Sequence, residues 1–347
     1  MRRLAIILLL LIGAGAAGWG LLERRLSTPY KAWEGGEVFV EIVPGEGTAA
    51  IGRKLAAAGV VPDQWIFRAA LWRTGTARRL KAGEYRFDHP AGPREVVERL
   101  ARGDVFVRTI TFPEGLTIRE MARIYEEDGF GPAAQFVQAA GRASLIQDLD
   151  PTARDLEGYL FPDTYALPRR VGAAGLVERM VTGFRKAFTG DLREAAAAQG
   201  MTVREAVSLA ALVEKETAKP DERPLVAGVY RQRLRVGMPL QADPTVIYAL
   251  AAAGRYTGNL TRDGLQFDSP YNTYRHPGLP PGPIASPGLE SLRAAVNPSQ
   301  VDYLYFVSRN DGSHVFARTL DEHNRNVYRY QKKPFREQQR ASGSGRR

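Results

Sequence analysis

The run TVREAVSLAALVEKET at residues 202–217 predicts a helix that is buried over most of its length. Thr202 and Glu205 have the spacing of a capping box, so the helix is expected to begin at Val203. Pro220 prevents it from continuing much further, because proline lacks the N–H that a helix requires. The middle of the run is almost wholly apolar, which indicates packing against other elements.

Two carboxylates, Glu214 and Glu216, lie at the end of this predicted helix. At ~100° per residue their side chains point about 200° apart, so they cannot serve one cleft from the same face. We expect one to be functional and the other structural, and the periodicity does not choose between them. An apolar setting would raise the pKa of such a carboxyl toward the range where it can transfer a proton near neutrality. The alternative is that both are solvated residues at a helix end.

The composition of the 347-residue chain is that of a globular protein of roughly two domains. The absence of cysteine excludes disulfides, thiolate zinc sites and cysteine nucleophiles, and four scattered histidines argue against a histidine-rich metal site. A formal net charge of +10 favours an anionic partner: nucleic acid, an acidic membrane face or an acidic polymer. No glycine-rich phosphate loop is present, which argues against a nucleotide enzyme.

The N-terminus carries an uncharged stretch of 19 residues, Leu4–Leu22, directly after Arg2 and Arg3. A helix of this length rises ~28 Å, about the hydrocarbon thickness of a bilayer. The basic flank predicts a cytoplasmic N-terminus and an exported body, with residues 1–25 as the cytoplasmic start and transmembrane anchor. A cleavable signal is the alternative, since residues 14–16 (AGA) match the small-residue cleavage pattern.

A β-α-α-β unit is predicted after a polar linker at residues 24–36. Its strands are Val38–Val43 and Gly83–Phe87, and Asp63 begins its second helix. The unit resembles a LysM module, a small fold that grips the N-acetylated sugars of peptidoglycan and chitin. We therefore assign residues 26–108 to a linker and a LysM-like subdomain.

Proline-rich loops and a hairpin follow the acid-bearing helix. Asp243 is placed to cap a helix opened by Pro244. The polar, aromatic loops at 269–274 and 278–288 are stiffened by proline and suit the wall of a groove for an extended polymer. The strand YLYFV at 303–307 is expected to pair with residues 314–316 across a turn.

Five motifs in this order, behind one N-terminal apolar segment, resemble the MltG (YceG-like) endolytic murein transglycosylases. They are LVEKET (212–217), LQADPTVIY (240–248), YNTY (271–274), GLPPGPIASPG (278–288) and the pair YLYFV–HVF (303–307 and 314–316). The resemblance implies an α+β fold with a catalytic domain, residues 109–335, that is distantly related to lysozyme, followed by a basic tail at 336–347. It also implies an inner-membrane anchor and a periplasmic enzyme that cuts nascent glycan strands internally, beside the peptidoglycan synthases.

The resemblance assigns the catalytic acid to the second glutamate of the E-K-E-T motif, Glu216. Glu216 and Thr217 also resemble the Glu-Ser pair of other lytic transglycosylases. The candidates for holding the acetamido group and sugar hydroxyls are Gln241, Tyr271, Asn272 and Tyr274, and those for supporting roles are Glu214, Thr217, Asp243 and Thr245. Cleavage between N-acetylmuramic acid and N-acetylglucosamine would leave an anhydro-muramyl end without a metal, a cofactor or a nucleic-acid partner.

Two other classes of function remain open. A catalytically silent peptidoglycan-binding scaffold would keep the anchor and the LysM-like unit and would not need Glu216. A hydrolytic muramidase would need a second carboxylate across the groove, and Asp243 or Asp268 would supply it.

Overall fold

The computed structural model describes residues 2–333 of a mixed α+β protein that divides into two units. Unit 1 comprises Met1–Thr109 and Ala166–Arg170, and unit 2 comprises Ile110–Tyr165 and Val171–Arg347. The predicted basic tail at 336–347 lies outside the described residues.

Unit 1 is built around a two-stranded antiparallel sheet in which Val38 lies opposite Phe87. Its elements are α1 (Arg2–Ser27), β1 (Val38–Ile42), α2 (Thr48–Ala57), α3 (Gln64–Thr74), β2 (Gly83–Phe87) and α4 (Pro93–Arg102). The order from β1 to β2 is the predicted β-α-α-β. Asp63 caps α3, since its carboxylate accepts the backbone N–H groups of Trp65 and Ile66 at 2.7 and 2.9 Å.

Helix α1 is long and apolar enough, by length and composition, to cross a membrane through Ala5–Ser27. The helix does not give way to a linker at residue 24 as expected, because it continues to Ser27 and buries Leu26 in the core of unit 1. Arg73 of α3 donates to the Glu23 carboxylate at 2.5 Å, and Arg94 of α4 pairs with its other oxygen. Helix α1 is thus joined directly to the folded part of unit 1.

Strands β3 (Arg108–Thr111) and β4 (Thr164–Leu167) pair with each other. Unit 2 is mainly helical. Its helices are α5 (Ile118–Glu127), α6 (Ala133–Ala140), α7 (Ala173–Ala187), α8 (Gly190–Ala198), α9 (Val203–Glu216), α10 (Arg223–Arg235), α11 (Asp243–Ala252), α12 (Leu289–Val296) and α13 (Leu320–Val327). Strands β5 (Tyr305–Ser308) and β6 (His314–Ala317) form an antiparallel hairpin.

Helix α9 is the central element of unit 2 and packs against α8, α10, α11 and α12. Its residues 206–213 are all buried, as the apolar sequence requires. Thr202 and Glu205 form both halves of the predicted capping box. The helix ends at Glu216, and Thr217 is extended. This ending places the last carboxylate of the helix at the point where the chain turns away.

Candidate active site

A cavity of about 430 Å³ lies at the C-terminal end of α9. Its walls come from α9, α10, the start of α11, the loop before α12, the β5–β6 hairpin and α13. The polar and aromatic side chains that line it include Glu216, Tyr230, Arg233, Gln241, Asp243, Tyr274, Tyr305, His314 and His323. Four of the predicted site residues, Glu216, Gln241, Asp243 and Tyr274, therefore meet in one cavity.

Glu216 is half-buried at this cavity. The Tyr230 hydroxyl, on α10, donates a 2.7 Å hydrogen bond to its Oε1. Burial raises the pKa of the Glu216 carboxyl above its ordinary value, and the nearby Asp243 adds to this increase, while Tyr230 and Arg233 oppose it. A carboxyl with a raised pKa that faces a cavity is suited to donate a proton near neutral pH.

Glu214 lies on the other side of α9, where both of its carboxylate oxygens are hydrogen-bonded within the protein. Its Oε1 accepts a 3.0 Å bond from Arg223, and its Oε2 accepts the backbone N–H of Gly288 at 2.9 Å. Both charged side chains are nearly buried, with 6% of Glu214 and 9% of Arg223 exposed. The two carboxylates of the motif thus face different surroundings, as their separation around the helix predicts.

Arg233, on α10, joins two walls of the cavity. Its Nε donates to the carbonyl of Leu304 at 2.6 Å, and its Nη1 donates to the carbonyl of Leu240 at 2.5 Å. The guanidinium also lies over the Tyr305 ring, 5.6 Å from its centroid. A single buried cation therefore fixes the backbone before Gln241 and the start of β5.

Gln241 has a left-handed backbone conformation with φ of 50°, which is rare for a residue with a side chain. Its N–H donates to the carbonyl of Thr273 at 3.1 Å, so the strained turn is held by the neighbouring loop. The side chain is exposed at the cavity. Strain of this kind persists where the surrounding structure enforces it, and it concentrates at functional sites.

Asp243 does not cap α11, contrary to expectation, because it is the first residue of the helix and Ala242 occupies the cap position without a side-chain bond. Its Oδ1 instead accepts the Tyr274 hydroxyl at 2.5 Å. Thr245 is fully buried, and its hydroxyl lies 2.9 Å from that of Thr273. Thr245 therefore ties α11 to the 269–275 loop.

Asn272 and Tyr271 do not join the Glu216 cavity. The Asn272 side chain is fully buried and donates to the carbonyls of Leu265 and Phe267 at 3.0 and 2.8 Å. Its carbonyl oxygen accepts the N–H of Tyr274 at 3.0 Å, so all the hydrogen bonds of the amide described here are made within the loop. Tyr271 lines a second cavity of about 480 Å³ together with Glu157.

Thr217 is the first member of a series of hydrogen bonds that leads through Glu222 to His314 in the wall of the cavity. Its hydroxyl donates to Oε2 of Glu222 at 3.3 Å, and this oxygen lies 2.7 Å from Nδ1 of His314. Oε1 of Glu222 accepts the backbone N–H of His314 at 2.9 Å. Glu222 thereby sets the position of His314 in the cavity wall.

The cavity residues that the sequence reasoning missed include Tyr230, Arg233 and His314. On α10, the positions 226, 230 and 233 follow the i, i+4, i+7 spacing of one helix face. The buried stripe of that helix therefore contained a signal for Tyr230 and Arg233. His314 comes from the hairpin and lies 92 residues after its partner Glu222, so no local sequence pattern connects the two residues. Within residues 2–333 no group of three or more His, Cys, Asp or Glu side chains is placed to hold a metal ion.

Comparison with known proteins identifies the family. The model of the YceG-like family matches residues 40–329. The endolytic murein transglycosylase of Bacillus subtilis (strain 168) is 29% identical over 93% of this chain and 91% of that protein. The endolytic murein transglycosylase of Streptococcus pneumoniae serotype 2 (strain D39 / NCTC 7466) is 31% identical over 93% of this chain and 63% of that protein.

A crystal structure of a yceG-like protein from Listeria monocytogenes is also similar, with 30% identity and a TM-score of 0.57. The match covers 84% of this chain and 98% of that one. The resemblance inferred from the five motifs is confirmed by these matches, and the chain belongs to the YceG-like family.

Proposed function

We propose that this protein is an endolytic murein transglycosylase that cleaves the bond between N-acetylmuramic acid and N-acetylglucosamine within peptidoglycan strands. The observation that carries the proposal is Glu216: a carboxyl of raised pKa, held by Tyr230, at a cavity with polar and aromatic walls. The two relatives named above as endolytic murein transglycosylases support the reaction class.

In the first step, neutral Glu216 donates its proton to the glycosidic oxygen as the bond to C1 of the muramyl residue breaks. Because the Tyr230 hydroxyl occupies Oε1, the acidic proton is placed on Oε2. The acetamido oxygen of the substrate steadies the positive charge that develops at C1. Gln241 and Tyr274, which line the same cavity, are the candidates for holding the acetamido group and the hydroxyls.

In the second step, the Glu216 carboxylate accepts the proton of the C6 hydroxyl as that oxygen bonds to C1. The product is a 1,6-anhydro-muramyl end, the acid is protonated again, and no water is consumed. Asp243 is held by Tyr274 and acts here as a supporting group that keeps the pKa of Glu216 high. The residues assigned to structural support are Glu214, Thr217 and Thr245.

A hydrolytic muramidase is the second candidate, because Asp243 faces the same cavity as Glu216. Asp268 fits this role less well, since 78% of its side chain is exposed and it is outside the set of residues that line the cavity. The two reactions differ in their products: hydrolysis leaves reducing ends and the lytic reaction leaves anhydro ends.

For the cellular setting, we propose that α1 anchors the protein in the inner membrane in a single pass, with unit 2 in the periplasm. The β-α-α-β part of unit 1 acts as a LysM-like subdomain, and peptidoglycan synthases are the proposed neighbours. The charge of +10 is complementary to a polymer whose peptide stems carry carboxylates.

The test is digestion of purified peptidoglycan by the full-length protein in detergent, with mass spectrometry of the new ends. We expect anhydro-muramyl ends that Glu216→Gln reduces by about 10²–10⁴-fold, the usual contribution of a general acid. Glu214→Gln, on the same helix but outside the cavity, is the matched control and should retain the product pattern. Reducing ends would indicate hydrolysis, and an absence of new ends from a folded, strand-binding protein would indicate a scaffold.

A further inference from the structure

Unit 1 exposes an unusual group of aromatic and cationic side chains where α3 meets α1, here called the Trp–Arg patch: Trp19, Trp65, Arg68, Trp72 and Arg73. The exposed fractions are 64% for Trp65 and 70% for Trp72. Tryptophan is usually well buried, so two such side chains on one short helix indicate a binding surface.

The exposed residues of α3 lie along one face. Trp65, Arg68 and Trp72 occupy positions i, i+3 and i+7, which form one stripe on a helix. The Arg68 guanidinium lies over the Trp65 ring, 5.1 Å from its centroid. This pairing keeps a cation beside an apolar ring at the surface.

This face of α3 is turned toward the apolar part of α1. The Trp72 ring packs edge-to-face on Trp19 with centroids 6.3 Å apart, and Arg73 lies over Trp19 at 5.4 Å. Trp19 is one helical turn before Glu23, on the side of the apolar stretch. The Trp72 end of the stripe therefore lies at the level where the apolar helix leaves the folded part of unit 1.

A cavity of about 390 Å³ lies next to the patch, between the end of α1 and the start of α3. Arg24 and Arg25 line it beside the apolar side chains of Leu21 and Ile66. Within the described part of the chain neither guanidinium donates a hydrogen bond or forms an ion pair. The single carboxylate in the lining, that of Asp63, is already used to cap α3. The cavity thus offers positive charge above an apolar wall.

We propose that unit 1 rests on the phospholipid surface through the Trp–Arg patch, with lipid phosphates bound at Arg24 and Arg25. Tryptophan is enriched at the headgroup level of membranes because its ring is apolar and its N–H is polar. Basic groups at the same level attract the phosphates of anionic headgroups. The proposal rests on the membrane anchoring by α1 that is part of the proposed function.

A glycan is the competing occupant, because exposed aromatic rings also stack on sugars and the surrounding unit is LysM-like. The contact of Trp72 with Trp19 favours the lipid, since it turns the stripe toward the end of the chain that enters the bilayer. A strand bound on this face would have to lie between the protein and the headgroups.

The four tryptophans of the chain provide the experiment. The full-length protein is reconstituted into vesicles of phosphatidylglycerol and phosphatidylcholine whose acyl chains are brominated, and four variants each keep one tryptophan with the others changed to phenylalanine. We expect bromine to quench at least half of the fluorescence of Trp19, Trp65 and Trp72. Trp33, which is half-buried with Lys31 over its ring, is the internal control and should be quenched little.

Each other result has a defined meaning. If Trp19 is quenched while Trp65 and Trp72 behave like Trp33, the anchor stands and the docking proposal is overturned. If Trp19 is also unquenched, the anchoring itself fails. A response of Trp65 or Trp72 to soluble N-acetylated oligosaccharide without quenching by bromine would overturn the lipid in favour of a glycan. Arg24→Gln with Arg25→Gln should weaken the quenching of Trp65 and Trp72, and equal quenching would overturn the phosphate site.

Discussion

The Tyr230 hydroxyl donates to Oε1 of Glu216 across the contact between α10 and α9, at 2.7 Å. Tyr230 is itself buried, and its ring packs edge-to-face on Phe306. Burial raises the pKa of the Tyr230 hydroxyl well above its ordinary value, and Glu216 raises it further, so the hydroxyl remains a donor at any working pH. Glu216, the proposed acid, therefore has one carboxyl oxygen occupied before substrate binds.

The first prediction concerns Tyr230→Phe. The hydrogen bond from Tyr230 lowers the pKa of Glu216, so its removal should raise this pKa further. In the proposed mechanism, activity requires protonated Glu216 and falls as pH rises through the pKa of this carboxyl. The basic limb of the pH–rate profile should therefore move upward by up to about one unit, because a hydrogen bond is worth about 1 kcal/mol and a pKa unit about 1.4. A shift to lower pH would contradict the assignment of Glu216 as the acid.

The second prediction concerns the buried pair of Glu214 and Arg223. Glu214→Ala leaves a nearly buried guanidinium, which usually costs about 3–5 kcal/mol of unfolding free energy. We expect a cost at the lower end of this range, because the Glu114 carboxylate remains 3.4 Å from the same guanidinium. Urea denaturation measures the change. Glu290→Ala removes the exposed pair with Arg293 and is the control, with an expected cost of about 0.5 kcal/mol or less.

The third prediction separates stability from activity at Gln241. Gln241→Gly should keep or increase the free energy of unfolding, by up to about 1 kcal/mol, because glycine adopts a positive φ without strain. The same change should lower the rate of glycan cleavage, since it removes the amide from the cavity. Gln241→Ala removes the amide and keeps the strain, so it should lose activity without the gain in stability. Full activity of both variants would exclude Gln241 from substrate binding.

The fourth prediction concerns Glu222. Burial alone would raise its pKa, but the bonds from the backbone and ring of His314 outweigh this and hold the pKa below the ordinary value of 4.5. A lowered pKa in the folded state stabilises the protein above the unfolded pKa, and this stability is lost as pH falls through the folded pKa. The stability difference between wild type and Glu222→Gln should thus be present at neutral pH and shrink below about pH 4. An unchanged difference at acid pH would contradict this interpretation.

The local features of the fold were predictable from the sequence because short-range rules determine them. The capping box at Thr202 and Glu205, the cap at Asp63 and the β5–β6 hairpin all depend on residues within a few positions of each other. The separate surroundings of Glu214 and Glu216 also follow from helix geometry.

The details of the site were less predictable, because they depend on contacts between distant segments. Tyr271 and Tyr274 are three residues apart in one loop, yet they line different cavities, and the buried amide of Asn272 between them accepts the backbone N–H of Tyr274. The local sequence predicted that Asp243 caps α11, but its carboxylate instead accepts a hydrogen bond from Tyr274, 31 residues later. The sequence pattern of one segment does not reveal which distant residue the fold brings into contact with it.

The ion pairs of Glu23 with Arg73 and Arg94 have a mechanical consequence for the membrane anchoring proposed above. These ion pairs, together with the buried Leu26, hold the C-terminal end of α1 against α3 and α4, so we expect unit 1 to turn with this end of the helix. Transmembrane helices tilt, by about 20° on average, to match their apolar length to the thickness of the bilayer. A thinner bilayer would tilt α1 and incline unit 1 by the same angle, so the thickness of the membrane would help to set the direction in which this unit points.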